Sequence, residues 1–116
     1  PEVRNIPYSF DAAVDEGLDL LEGPDRPTAV FAHDDLLASG ILRAARELGI
    51  EVPQELAIVG FNNSDLAKAI GLTTVEQPFE ESGLVAIQLL LERLSDPSAT
   101  RRDVSLGVSL VARETS

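Results

Sequence analysis

Two polar clusters, each placed directly after a short apolar run, hold the residues able to do chemistry. His33, Asp34 and Asp35 follow Thr28–Ala32, and Asn62, Asn63, Ser64 and Asp65 follow Leu56–Phe61. Carboxylates accept hydrogen bonds, side-chain amides both donate and accept, and a carboxylate also pairs with a cation. Catalysis fits them poorly. His33 is the only histidine, no serine or cysteine nucleophile motif accompanies it, and no catalytic residue is assigned. Asp34, Asp35 and Asp65 invite a magnesium reading, but a phospho-acceptor site needs an acid at the end of the second strand, where Phe61-Asn62 stands. No metal ligand set is therefore assigned. Gly40, Gly49 and Gly60 form neither GxGxxG nor GxxxxGK, so no nucleotide loop and no cofactor are expected.

These clusters need strands and helices to bring them together. Thr28–Ala32 is β-branched and apolar without alternation, which suits a strand buried on both faces. Asp35 is expected to cap the helix that follows, in which Leu37, Ile41, Ala44 or Ala45, and Leu48 recur at helical spacing before Gly49 stops it. The unit reads as strand, turn and helix of a parallel sheet. In open α/β sheets ligands bind outside the carboxyl ends of the strands, so both polar turns fall on one edge and line one site. Upstream, Ser9 caps an amphipathic helix carrying Phe10, Ala13, Val14, Gly17, Leu18 and Leu21, ended by Gly23-Pro24. Val3, Ile6 and Tyr8 make too short a pattern for a strand.

Downstream, Leu72–Val75 is a short β-prone run, and Pro78 opens a third helix. Phe79, Gly83, Ala86, Ile87, Leu90 and Leu94 make one stripe on it, while Leu84, Val85, Leu89 and Leu91 lie outside the stripe. An apolar belt this wide implies burial on two sides. Asp96-Pro97 closes the helix, residues 98–103 read as a polar loop, and Val104–Val111 alternates like a half-exposed edge strand.

At 116 residues the chain is expected to form one α/β domain, and no stretch approaches a membrane span. The absence of cysteine removes disulfides, zinc–thiolate sites and cysteine catalysis, and leaves the cytoplasm as the default compartment. A net charge of −11 repels phosphate backbones, so the chain is not expected to bind nucleic acid by itself. The opening PEVRNIPYSF has no apolar leader, and a start at Pro1 suggests an upstream segment.

Four words, PTAVFAHDDLLASG, LAIVGFNNSD, LTTVEQP and VSLVARETS, occur in an order that resembles the carboxyl-terminal part of the lactose/galactose-repressor family of bacterial transcription regulators. The resemblance covers residues 27–116. It implies a periplasmic-binding-protein-like fold, three-layered, with a mostly parallel sheet flanked by helices. The chain would be the carboxyl-terminal subdomain plus the helix over 79–95 that crosses to the other lobe. In such proteins two lobes clasp a small effector, often a sugar or nucleobase. A separate helix-turn-helix headpiece, missing here, binds operator DNA.

The resemblance places the family's ligand-contacting asparagine at Asp34, its following aspartate at Asp35 and the aspartate after VGF at Asn62. Amide and carboxylate are thus exchanged between the two loops. Gln77 and Phe79 fall at the crossover beside the cleft and complete the expected ligand-binding set. Asp35 and Asn63 are expected to support it as cap and turn former. The segment between Asp65 and Leu72 is shorter than the family pattern and lacks its proline pair. A carbohydrate-like effector and a homodimer, with the helix over 35–48 as one surface, are the partners implied. The alternatives are a solute-binding protein of the same fold and a self-associating folding module without ligand. An enzyme, either a phosphotransfer receiver or a small hydrolase, is disfavoured by the incomplete acid cluster and the missing nucleophile.

Overall fold

A computed structural model describes residues 2–116. The elements in chain order are α1 (Phe10–Leu21), β1 (Ala29–Phe31), α2 (Asp35–Glu47), β2 (Ala57–Phe61), α3 (Asp65–Ile70), β3 (Thr73–Glu76), α4 (Phe79–Ser95) and β4 (Ser109–Val111). They fall into two compact units. The first runs to Glu76 and resumes at Leu110–Ser116, and the second is Gln77–Ser109.

The four strands make one sheet in the order β1-β2-β3-β4. β1, β2 and β3 are parallel, with Val30 opposite Ile58 and Gly60 opposite Thr74. Ile58 is fully buried, and Val30 packs against the core that α2 lays over this face. Leu21, Ile41, Leu42, Ile50, Leu56, Ala67 and Leu72 complete that core. A fully buried leucine or isoleucine of this kind contributes about 2 kcal/mol.

α1 starts where Ser9 Oγ accepts from the Ala12 N–H, and its apolar stripe lies against α2. The two helices approach so closely that a Cβ on Gly17 would sit 2.7 Å from Ala44 Cβ, and one on Gly40 would sit 2.6 Å from Ala13 Cβ. Both positions therefore exclude any larger residue.

β1 departs from the expectation of a strand buried on both faces. It is an edge strand of three residues, and Phe31 is 61% exposed, meeting Phe61 edge to face at 6.2 Å. The helices cover the Val30 and Ile58 side of the strand, whereas Phe31 points to the opposite face. The strand expected over Val104–Val111 is shorter as well, only Ser109–Val111. Alternation marks a residue pattern, but a strand also needs a hydrogen-bonded neighbour. α3 was not legible in the sequence, because six residues are too few to show helical periodicity. Ser64 caps it through Oγ to the Ala67 N–H, and Gly71 closes it at φ +67°.

In the second unit α4 has no buried residue. Its apolar belt is exposed at Phe79, Leu84, Ile87, Leu90, Leu91 and Leu94. Arg102 pairs with Glu92 at 2.8 Å, and Asp96 accepts from the Ser98 N–H and hydroxyl, which hold its carboxyl below the usual range. Among the described residues no helix is long and apolar enough to cross a membrane.

Candidate ligand site at the carboxyl ends of the strands

The chain leaves β1 through Ala32 and His33 and enters α2 at Asp34. Asp34, not Asp35, is the N-cap: its backbone is extended at φ −155°, ψ 149°, and its Oδ1 accepts from the Leu36 N–H at 2.7 Å. The correction has a simple cause. The capping residue keeps extended backbone angles so that its side chain folds back over the first free N–H groups. Asp35 already lies inside the helix, and its carboxylate is carried inward.

That inward carboxylate joins three elements. Asp35 is 1% exposed; Oδ2 accepts from the Ser64 N–H at 2.7 Å and Oδ1 from the Thr74 hydroxyl at 2.5 Å. The end of β1 is thereby tied to the β2–α3 turn and to β3. Gly60 makes room for it, since any Cβ there would collide with Asp35 Oδ1 and approach Leu72 Cδ2 to 2.8 Å.

Asp34 faces the other way and gathers the exposed part of the site. Its Oδ2 accepts from the Asn62 amide at 2.7 Å, and its Oδ1 accepts from the Tyr8 hydroxyl at 3.0 Å as well as from Leu36. The Tyr8 bond to this carboxylate raises the phenol above its ordinary value, with burial and the Asp34 and Asp35 charges adding in the same direction. Among the described residues the three groups that donate to Asp34 are neutral dipoles.

Asn62 and Asn63 take the turn at φ +106° and +50°, in the region where asparagine is among the few tolerated side chains. Asn63 turns away from the open side. Its N–H bonds Thr74 Oγ1 at 3.3 Å, its Nδ2 donates to Glu76 at 2.9 Å and its Oδ1 accepts from Arg113 Nη2 at 2.5 Å.

The structure thus brings Asp34, Asp35, Asn62 and Asn63 together in the first unit. Gln77 and Phe79 belong to the second, where the Phe79 N–H bonds the Gln77 carbonyl at 2.9 Å. Among the described residues no three His, Cys, Asp or Glu side chains converge as a metal site. Sequence reasoning missed Tyr8, Thr74 and Arg113. Tyr8 stands just before the Ser9 cap with no periodicity to mark it. Arg113 had a signal, as the lone basic residue in VSLVARETS.

A mostly parallel sheet whose neighbouring strand ends carry a carboxylate and amide network defines an α/β domain with its polar groups at the edge where open sheets of this class bind ligands. More particularly, the chain belongs to the periplasmic binding protein-like domain family, whose pattern matches residues 2–116. It is 34% identical over 110 residues to the HTH-type transcriptional repressor PurR of Vibrio vulnificus strain CMCP6, an alignment covering 93% of this chain and 33% of that protein. To the ribose operon repressor of Escherichia coli strain K12 it is 33% identical over 108 residues, covering 91% of this chain and 33% of the repressor. Its fold matches a LacI family transcriptional regulator from Enterococcus faecium, solved with bound ribose, at a TM-score of 0.80 and 31% identity, over 95% of this chain and 41% of that one. The resemblance to lactose/galactose-repressor regulators is thereby upheld. The chain spans about a third of the length of the repressors it matches.

Proposed function

We propose that this chain is the effector-sensing part of a bacterial transcription regulator and binds a sugar-like small molecule at the carboxyl edge of its sheet. The observation that carries the reading is the 2.7 Å bond from Asn62 to Asp34, which locks two loops into one polar surface. A carboxylate has about four acceptor positions. Three donors occupy Asp34, leaving room on Oδ2 for a ligand hydroxyl. The Tyr8 ring, held beside the carboxylate and 65% exposed, offers an apolar face of the kind a sugar ring covers. Gln77 and Phe79 are assigned ligand contacts on the family resemblance alone.

The mechanism is binding, not catalysis. In the two-lobed parent the effector favours one arrangement of the lobes by binding it more tightly, and a homodimer carries that bias to headpieces on operator DNA in the cytoplasm. The exposed belt of α4 supports a helix made to be covered by the amino-terminal lobe. The test is Asp34→Ala in the full-length regulator. The effector response weakens at least tenfold while the variant still folds; an unchanged response rejects the assignment.

A further inference from the structure

We propose that Arg113 is a positioning residue for this site: by gripping Asn63 it holds the left-handed turn that aims the Asn62 amide at Asp34. Its functional meaning rests on the ligand site proposed above. Its geometry does not.

Arg113 reaches across the sheet from the carboxyl-terminal tail. Nη1 donates to the Leu72 carbonyl at 2.7 Å, Nη2 to Asn63 Oδ1 at 2.5 Å, and its backbone N–H to Thr73 Oγ1 at 2.8 Å. The planar guanidinium spans a carbonyl at the start of β3 and an amide beyond the end of β2. A lysine ammonium presents no such fork.

Asn63 is then held at every polar atom of its side chain, since Nδ2 is on Glu76 while Oδ1 is on Arg113. Its N–H points to Thr74 Oγ1, whose own proton goes to the buried Asp35, so that hydroxyl has a single orientation. On the next residue the Ser64 N–H is also taken by Asp35. The two residues following Asn62 are thus anchored on both sides. Asn62 itself adopts φ +106°, a conformation that persists where its surroundings over-determine it. Arg113 ties the turn to the carboxyl-terminal tail.

Tyr8 provides the readout. It is the only tyrosine, and the chain has no tryptophan, so the rise of phenolate absorbance with pH reports on the phenol bonded to Asp34 without interference from another chromophore of that kind. If Arg113 acts through Asn63 and Asn62, Arg113→Lys and Arg113→Met remove the Asn62 donor from Asp34 and concentrate its charge on Tyr8. The Tyr8 midpoint then rises further above the ordinary phenol value than it does in wild type. Asn63→Ala produces the same rise, and the double variant Arg113→Met with Asn63→Ala adds nothing further.

An unmoved Tyr8 midpoint in cooperatively folding Arg113 variants overturns the proposal, as do additive shifts in the double variant. Loss of cooperative unfolding in all the variants assigns Arg113 to folding and overturns it too. No sugar enters this experiment. A wild-type chain that binds none therefore rejects the sensing function without touching the result for Arg113.

Discussion

Asn62 gives its side-chain amide to the Asp34 carboxylate at 2.7 Å, joining two turns whose residues lie 28 positions apart. The family resemblance implies that amide and carboxylate are exchanged between these two loops, and in this chain the two side chains meet. A donor and an acceptor facing each other across the loops bond in either order. The exchange leaves the negative charge on α2, at the N-cap, where the helix dipole favours it.

Asp34 therefore has two separable roles, and substitution divides them. Asp34→Ala loses the cap as well as the Tyr8 and Asn62 contacts, and lowers unfolding stability by about 1–2 kcal/mol in urea titration. Asp34→Asn keeps a capping oxygen and costs less than half of that. Equal losses for the two variants would show that the charge, not the cap, stabilises α2.

Tyr8 should titrate above the ordinary phenol value of about 10. A folded-state value above the unfolded one favours folding while the phenol is protonated. The contribution is complete below about pH 10 and disappears as pH climbs through the folded value. Near-ultraviolet absorbance measures the midpoint directly, and Asp34→Ala lowers it toward that of a free phenol by removing the largest cause of the rise. A midpoint unchanged by that substitution would contradict the Tyr8–Asp34 bond.

Asp35 is the more costly of the adjacent pair to lose. Asp35→Ala strands the half-buried Ser64 N–H and the buried Thr74 hydroxyl, with a penalty of about 3 kcal/mol. Thr74→Val removes one donor from the same carboxylate and costs about 1–2 kcal/mol. The two changes share a contact, so their combination falls short of the sum. Chemical denaturation of the four proteins in that cycle measures the shortfall.

The charge at Asp34 also bears on ligand choice. Its donors are a phenol, an amide and a backbone N–H, none of them cationic. Anionic ligands meet an unneutralised carboxylate, while neutral sugars meet an acceptor. Calorimetric titration with ribose and ribose 5-phosphate should show the phosphate binding at least tenfold more weakly, about 1.4 kcal/mol. Asp34→Asn narrows that gap, and a gap unaffected by the substitution removes Asp34 from the contact.

Much of the fold was legible because its signals are local. Ser9 caps α1 as its position implied, the stripe from Phe10 to Leu21 became the face packed on α2, and both apolar runs became parallel strands. The two polar turns share one edge because parallel strands point their carboxyl ends the same way. Signals that rest on a neighbour were less legible. The alternation over Val104–Val111 became a strand only over its last residues, and Phe31 is exposed although its neighbours look like a buried run.

The sequence by itself determined the class of fold, the edge where polar residues gather and the family that shares its four words. The first two follow from residues close in the chain, whose types set helical or extended periodicity, and the family from the resemblance of the words themselves. Only the tertiary structure decided which of Asp34 and Asp35 caps and which is buried. Adjacent aspartates are chemically equal until backbone angles send one side chain over the helix end and the other under β3. The same holds for Tyr8 and Arg113. Their partners lie 26 and 50 positions away, and hydrogen bonds over such separations exist only once the sheet has brought the segments together.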